Sequence, residues 1–104
     1  MPERSRIVHF DPPIHPGEIL REEFLKPLGL KPYGVAKRLN VPRTRIERLV
    51  AESTPVTPDT ALRLAKLLGT TPDFWLSMQA SYDLAVEARA KKQEIDAIQA
   101  LDAA

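Results

Sequence analysis

Residues 30–50, LKPYGVAKRLNVPRTRIERLV, contain two short amphipathic segments separated by a turn, and no other stretch limits the fold as strongly. In the first segment the apolar residues recur at helical spacing, at Val35, Ala36 and Leu39. Asn40 tolerates the left-handed conformation that ends a helix, and Pro42 suits the first position of a new helix. The pattern therefore predicts two helices joined by a tight turn, which is the geometry of a helix-turn-helix.

The second segment has one apolar face and one polar face. Its apolar stripe consists of Ile46, Leu49 and Val50. At about 100° per residue Thr44 and Arg48 point the opposite way, with Arg45 and Glu47 beside them. Arginine can make a bidentate contact to guanine in the major groove, and threonine can contact a phosphate or a thymine methyl. We therefore predict that this face binds double-stranded DNA.

Positive charge is concentrated on the same stretch. Residues 31–48 contain six basic residues and one acidic residue, a net charge of +5, whereas the whole chain carries +1. A run of charges is often only a solvated helix face. Here the charges are segregated onto one motif with an apolar stripe on each helix, which favours a binding surface. The near-neutral overall charge argues against a general nucleic-acid coat protein, because such a protein needs many phosphate contacts spread over a basic surface.

Length and composition indicate one small globular domain. The chain has 104 residues, enough for a single core, and its 43% hydrophobic content is ordinary for a soluble protein. No apolar run approaches the roughly 20 residues that cross a bilayer, and no secretory signal follows the N-terminal arginines. The absence of cysteine excludes disulfides and thiol nucleophiles. We expect a cytoplasmic protein with no membrane association.

Residues 1–14 contain three prolines and no regular periodicity, which predicts an irregular arm. His9, Asp11 and His15 carry metal-ligating groups, but no further ligand pattern accompanies them. We interpret both histidines as surface residues and expect no metal or other cofactor. The chain also lacks a glycine-rich phosphate loop, so we expect that it is not an enzyme.

A first helix is predicted from Pro16 and Gly17 to about Lys26, with Leu20 and Phe24 facing inward. Its other face holds Glu18 and Glu22. Acids in a first turn stabilise a helix through its dipole. With Glu23 and Asp11 nearby, the same acids form a patch that could receive a basic partner.

Two later helices share the opening Thr-Pro-Asp, at residues 57–59 and 71–73. In each, threonine suits the N-cap, proline the first helical position, and aspartate the first turn. The first of these helices is predicted to end at Gly69, and its apolar residues recur at helical spacing, at Ala61, Leu62, Ala65 and Leu68.

The last helix is rich in large apolar side chains: Phe74, Trp75, Leu76, Met78 and Tyr82. A five-helix monomer needs fewer of them to close its core, so we expect a second copy to cover part of this face. The predicted dimerisation residues are Phe74, Trp75, Met78 and Tyr82, although an intramolecular core explains any one of them equally well. The Ala-rich stretch beyond residue 84 could extend this helix, fold back or fray.

The order HPGEILREEFL (15–25), helix-turn-helix, TPDTALRLAKLLGTTPDFWLSMQASYDL (57–84) resembles the HigA-type antitoxins, which are XRE-like helix-turn-helix proteins. The resemblance implies an all-α, five-helix, lambda-repressor-like domain over residues 15–84, between an arm (1–14) and a helix-prone tail (85–104). It also implies a homodimer that binds operator DNA to repress its own operon and neutralises a RelE-like mRNA-cleaving toxin. A stand-alone or phage-type repressor without a toxin is the alternative.

Carried over by position, the resemblance implies DNA-reading roles for Arg43, Thr44, Arg45 and Arg48. Such proteins commonly begin the recognition helix with Ser or Thr and place a phosphate-binding Gln near the start of the preceding helix. This chain has Pro42 and the pair Tyr33, Gly34 at those places. We expect Lys37 or Arg38, or the Tyr33 hydroxyl, to supply phosphate contacts instead, and the backbone N–H groups at the start of the recognition helix remain available.

Overall fold

The computed structural model describes residues 12–102, which form six helices and no strand. Helix α1 has three consecutive pieces (Pro16–Ile19, Leu20–Leu25, Lys26–Leu28), and it is followed by α2 (Pro32–Leu39), α3 (Arg43–Val50), α4 (Pro58–Leu68), α5 (Pro72–Ala90) and α6 (Lys92–Asp96). The predicted all-α fold, five helices with a helix-prone extension, is confirmed. None of the helices in this part of the chain is long and apolar enough to span a membrane.

Most of the predicted helix ends are confirmed. Asn40 (φ 59°) and Gly69 (φ 74°) have left-handed backbones, and the hydroxyls of Thr57 and Thr71 accept the N–H groups three residues ahead. The prediction for Pro42 is wrong by one residue. Its ψ of 142° is extended, so it is the N-cap of α3 and Arg43 is the first helical residue.

The middle of α1 is π-helical, and the Lys26 N–H bonds to the carbonyl of Arg21, five residues back. The cause is Pro27 in the following turn. Proline has no N–H, and its ring collides with the carbonyl four residues earlier in a regular α-helix. Widening the helix before the proline relieves this clash. As a result α1 continues beyond the predicted end at Lys26 and stops at Gly29, which is left-handed.

The core is formed by apolar residues from α1 to α5 and the loop before α4: Leu20, Leu25, Val35, Ala36, Leu39, Ile46, Leu49, Val56, Ala61, Leu64 and Trp75. Leu62, although it is one of the apolar residues at helical spacing in α4, is 60% exposed, whereas Leu64 is fully buried. At about 100° per residue Leu64 shares a face with Ala61 and Ala65, and Leu62 does not.

Helix α5 continues past residue 84 to Ala90, so the tail extends the last helix. At Lys91 the backbone (φ −116°, ψ 24°) departs from helical geometry, and α6 begins at the next residue. The apolar residues of this extension are exposed in the monomer: Leu84, Val86, Ile95, Ile98 and Leu101.

The first turn of α1 lies directly on the last turn of α3. A Cβ on Gly17 would lie 1.8 Å from the carbonyl oxygen of Leu49, so only glycine allows the two backbones to approach this closely. Gly17 has no positive φ, and its role is to leave space rather than to permit an unusual conformation. The glycine in HPGE therefore sets the distance between α1 and α3.

His15 is buried, which contradicts its interpretation as a surface residue. Its Nδ1 accepts the N–H of Gly17 at 2.9 Å and caps α1, and its ring packs edge-on against Tyr82, 4.9 Å between centroids. Among residues 12–102 no group of side chains could hold a metal ion. The other members of the metal hypothesis, His9 and Asp11, lie outside the described residues.

We expect Gly17→Ala to lower the free energy of unfolding by about 1–3 kcal/mol, because the new methyl overpacks the contact between α1 and α3. Gly34→Ala is the matched control: a Cβ there meets nothing within 4 Å. Alanine at that position of α2 should instead raise the free energy of unfolding by about 0.5–1 kcal/mol. Urea unfolding measures both changes. A Gly17→Ala variant as stable as the wild type would contradict the predicted close approach.

We expect stability to depend on pH through His15. Burial lowers the pKa of His15 below 6.5, and the carboxylates of Glu52 and Asp83 and a hydrogen bond with the backbone of Thr54 oppose the effect only in part. Between the folded pKa and 6.5 the unfolded chain binds more protons than the folded one. The contribution of His15 to the free energy of unfolding should therefore be fully present above this window, and it should be lost as the pH drops through the window.

Urea unfolding from pH 7 to pH 5 measures this dependence. His15→Asn keeps an oxygen that can cap α1 but does not titrate, so it should reduce the slope by the part that His15 contributes. Equal slopes in the wild type and His15→Asn would assign the pH dependence to other groups.

Candidate nucleic-acid interface

The outward face of α3 is open to solvent, as the sequence predicts. All four of its candidate DNA-reading residues are exposed: Arg43, Thr44, Arg45 and Arg48. On the opposite face Ile46 and Leu49 are buried and Val50 is half-buried, and α1 and α2 both pack against this side. The helix is therefore supported from behind and presents its cationic face outward.

Arg43 is the first residue of α3, and its side chain reaches the start of α2. Its guanidinium sits over the ring of Tyr33, 5.8 Å from the centroid, and its Nε is 3.2 Å from a carboxylate oxygen of Glu47. The cation–π contact and the ion pair both restrict the side chain while it stays mostly exposed. Tyr33 is itself 56% exposed, so its hydroxyl and Arg43 are available at the same edge of the motif.

Arg45 is held by an acid from α4. Its Nη1 donates to Asp59, and Arg63 donates to the same carboxylate oxygen at 3.0 Å. These hydrogen bonds, first from Arg45 and then from Arg63, lower the pKa of Asp59. Asp59 was expected only to stabilise the start of α4. Its contact with α3 depends on how the two helices pack and has no signal in the sequence.

Arg48 is exposed, and its side chain makes no hydrogen bond or ion pair with residues 12–102. Lys37 and Arg38, in the last turn of α2, are also exposed. The surface thus combines restricted arginines with cations that are free to reorient. It suits a polyanion whose groups are contacted at several points along the motif.

The start of α3 has no side-chain cap, because Pro42 occupies the N-cap. At α1, α4 and α5 that position is filled by His15, Thr57 and Thr71, each of which accepts a backbone N–H. The N–H groups of Arg43 and Thr44 are therefore left for an outside acceptor, whereas the Arg45 N–H donates to the carbonyl of Pro42. Helix N-termini bind anions through such groups.

The other end of α3 is fastened to α1 by Arg21, whose Nη1 donates to the carbonyl of Val50 at 2.5 Å and pairs with Glu52 at 3.2 Å. Arg21 and Lys26 also pair with Glu22 and lower its pKa. This pairing offsets part of the negative charge on the acidic face of α1.

A second set of hydrogen bonds, between α5 and the loop before α4, was also not predicted. Gln79 on α5 is buried, and its side chain accepts the N–H of Val56 at 2.8 Å and donates to Asp83 at 2.9 Å. These bonds hold the loop that follows α3 against α5. The sequence offers one signal for this contact, a single amide among the apolar residues of the last helix. An amide that is buried there needs hydrogen-bond partners.

The four predicted dimerisation residues differ in their surroundings. Phe74 is 40% exposed, whereas Met78 and Tyr82 are half-buried. Trp75 is fully buried, and its Nε1 donates to Thr70 at 2.8 Å, so its prediction as a dimer contact is wrong. Its position on α5 points it at Phe24 and the monomer's own core.

The sequence model of the helix-turn-helix family matches residues 22–75. The chain is 51% identical over 87 residues to virulence-associated protein I of Dichelobacter nodosus, an alignment covering 84% of this chain and 80% of that protein. It is 38% identical over 72 residues to antitoxin HigA-1 of Vibrio cholerae, covering 69% and 68%.

The fold is also similar to a solved complex, Pseudomonas aeruginosa antitoxin HigA with the higBA promoter. The TM-score is 0.84 at 36% sequence identity, and the match covers 86% of this chain and 99% of that one. The similarity therefore extends beyond the helix-turn-helix to nearly the whole of a protein solved with promoter DNA.

Proposed function

The chain belongs to the XRE-like helix-turn-helix family, among its HigA-type antitoxins, and from this we propose that it represses its own operon as a homodimer and neutralises a toxin encoded with it. The observation that carries the DNA-binding part is the exposed cationic face of α3, which is supported from behind by α1 and α2.

In this proposal the side chains divide into two groups. Arg45 and Arg48 project from the middle and end of α3 and contact base edges in the major groove, where arginine reads guanine. Phosphate contacts come from the edge of the motif: Tyr33, Lys37, Arg38, Arg43, Thr44 and the uncapped N–H groups of α3. The first group supplies sequence selectivity, and the second supplies register and affinity.

The homodimer is supported by the pattern along α5. Phe74, Met78, Ser81, Ala85 and Ala88 recur at alternating intervals of four and three residues. Such a seam allows two helices to pack side by side, and its small residues permit close approach. Two copies would present α3 to successive major grooves, with half-sites about 34–36 Å apart.

The toxin part of the proposal is supported by family membership. The resemblance implies a RelE-like, mRNA-cleaving partner. An enzyme that binds RNA carries basic surfaces. A repressor without a toxin would use the same DNA-binding face. Purifying the chain together with the product of the adjacent reading frame distinguishes the two, because only an antitoxin retains that product.

We expect Arg48→Ala to weaken binding to the promoter DNA of its own gene by about 1–3 kcal/mol, the contribution of one arginine contact to a base. Binding to random DNA should change much less. Gel shifts over a range of salt concentrations measure both affinities. Lys92→Ala, which removes one positive charge from α6, is the control and should leave both unchanged. Equal losses on promoter and random DNA would show that Arg48 contacts only phosphate.

We expect Ala85→Arg to shift the protein from dimer to monomer, because it places an unpaired charge in the proposed seam. The dimer should weaken by about tenfold or more, since a desolvated unpaired charge costs several kcal/mol. Ala80→Arg, on an exposed part of α5 away from the seam, is the matched control. Sedimentation measures the two association constants. If Ala85→Arg dimerises as tightly as Ala80→Arg, the seam is not the interface.

A further inference from the structure

Asp59 connects three helices at the edge of the candidate interface. From the first turn of α4 its carboxylate accepts hydrogen bonds from Arg45 on α3 and from Arg63 on α4. Arg63 also donates to the carbonyl of Leu39 at the end of α2, at 2.8 Å. The carboxylate is therefore held in place by a residue that is anchored to the helix-turn-helix itself.

This arrangement fixes part of the Arg45 side chain and leaves part of it free. Its Nη1 faces Asp59 and the hydroxyl of Thr60 (3.5 Å), while the side chain is 40% exposed. A guanidinium has five N–H donors in a rigid fork, so the groups that do not face Asp59 remain available to a ligand. An arginine that is already oriented loses less conformational entropy on binding.

The position of Asp59 in its helix does not explain these contacts. Asp73 occupies the equivalent place in α5, in an identical Thr-Pro-Asp opening with a threonine cap. Within residues 12–102 Asp73 makes no ion pair. The two aspartates share the interaction with a helix dipole, and only Asp59 contacts an arginine of α3.

We propose that Asp59 is a specificity-determining positioning residue that acts through Arg45. It orients the guanidinium towards a base edge, and its negative charge disfavours the alternative in which Arg45 turns to a phosphate. The wild type thereby gains discrimination between operator and random DNA and loses some affinity for random DNA. This inference rests on the proposed DNA-binding function.

The test compares Asp59→Asn with Asp73→Asn on promoter DNA from upstream of the gene and on a random duplex of equal length. Each variant loses one first-turn acid, so effects on net charge and helix dipole are matched. Asp59→Asn should bind random DNA more tightly. The ratio of its affinity for promoter DNA to its affinity for random DNA should fall about fivefold or more, which corresponds to the lower end of the discrimination that one arginine–base contact provides. Asp73→Asn should keep the wild-type ratio.

Base-by-base substitution of the promoter site separates positioning from a general structural effect. Asp59→Asn should lose preference at the base pairs where Arg45→Ala also loses it and keep preference at the base pairs read by Arg48. Asp59→Glu, which retains a carboxylate, should recover part of the ratio. In an Arg45→Ala background, Asp59→Asn should cause no further fall in the ratio.

An unchanged ratio in Asp59→Asn, or a preference that weakens equally at every base pair, would overturn the inference. So would an equal fall of the ratio in Asp73→Asn. The proposed function fails separately, if the wild type binds promoter DNA no better than random DNA. If the wild type and Asp59→Asn both prefer promoter DNA over random DNA to the same degree, only the role of Asp59 is contradicted.

Discussion

The contact between the Gly17 backbone and the carbonyl of Leu49 determines where α3 lies. It brings the first turn of α1 against the last turn of α3 at a distance that excludes any side chain at residue 17. Arg21, one turn further along α1, donates to the carbonyl of Val50 at the same end of α3. With Ile46 buried behind it, α3 is held along its inner face and at its C-terminal end. This support allows the outer face to consist almost entirely of polar and charged side chains.

The cations on that face differ in how they are held, and the difference follows from their neighbours. Arg43 rests on Tyr33 and pairs with Glu47, and Arg45 is bound by an acid of α4. Arg48 has no such partner among the described residues. Exposed ion pairs contribute little to folding stability. Their effect here is to select side-chain orientations, which matters more for recognition than for the free energy of unfolding.

Local signals in the sequence predicted the helices well because each depends on a few adjacent residues. The left-handed ends at Asn40 and Gly69 and the caps at Thr57 and Thr71 are examples. Predictions that required knowledge of the neighbouring helix were less successful. His15 was expected at the surface, but the residues that bury it include Tyr82, from a helix more than sixty positions further along the chain.

The same limit explains the inward and outward assignments that were wrong. Apolar residues on one helix can face either the chain's own core or a second copy, and composition does not distinguish these. Trp75 packs against Phe24 in the chain's own core, whereas Phe74, about 100° around the same helix, is partly exposed. The sequence by itself determined the all-α fold, the order of the helices and the cationic face of α3, because periodicity, capping and charge are local properties. Only the tertiary structure decided which glycine permits the close contact and which acid meets Arg45, because both depend on side chains brought together from distant parts of the chain.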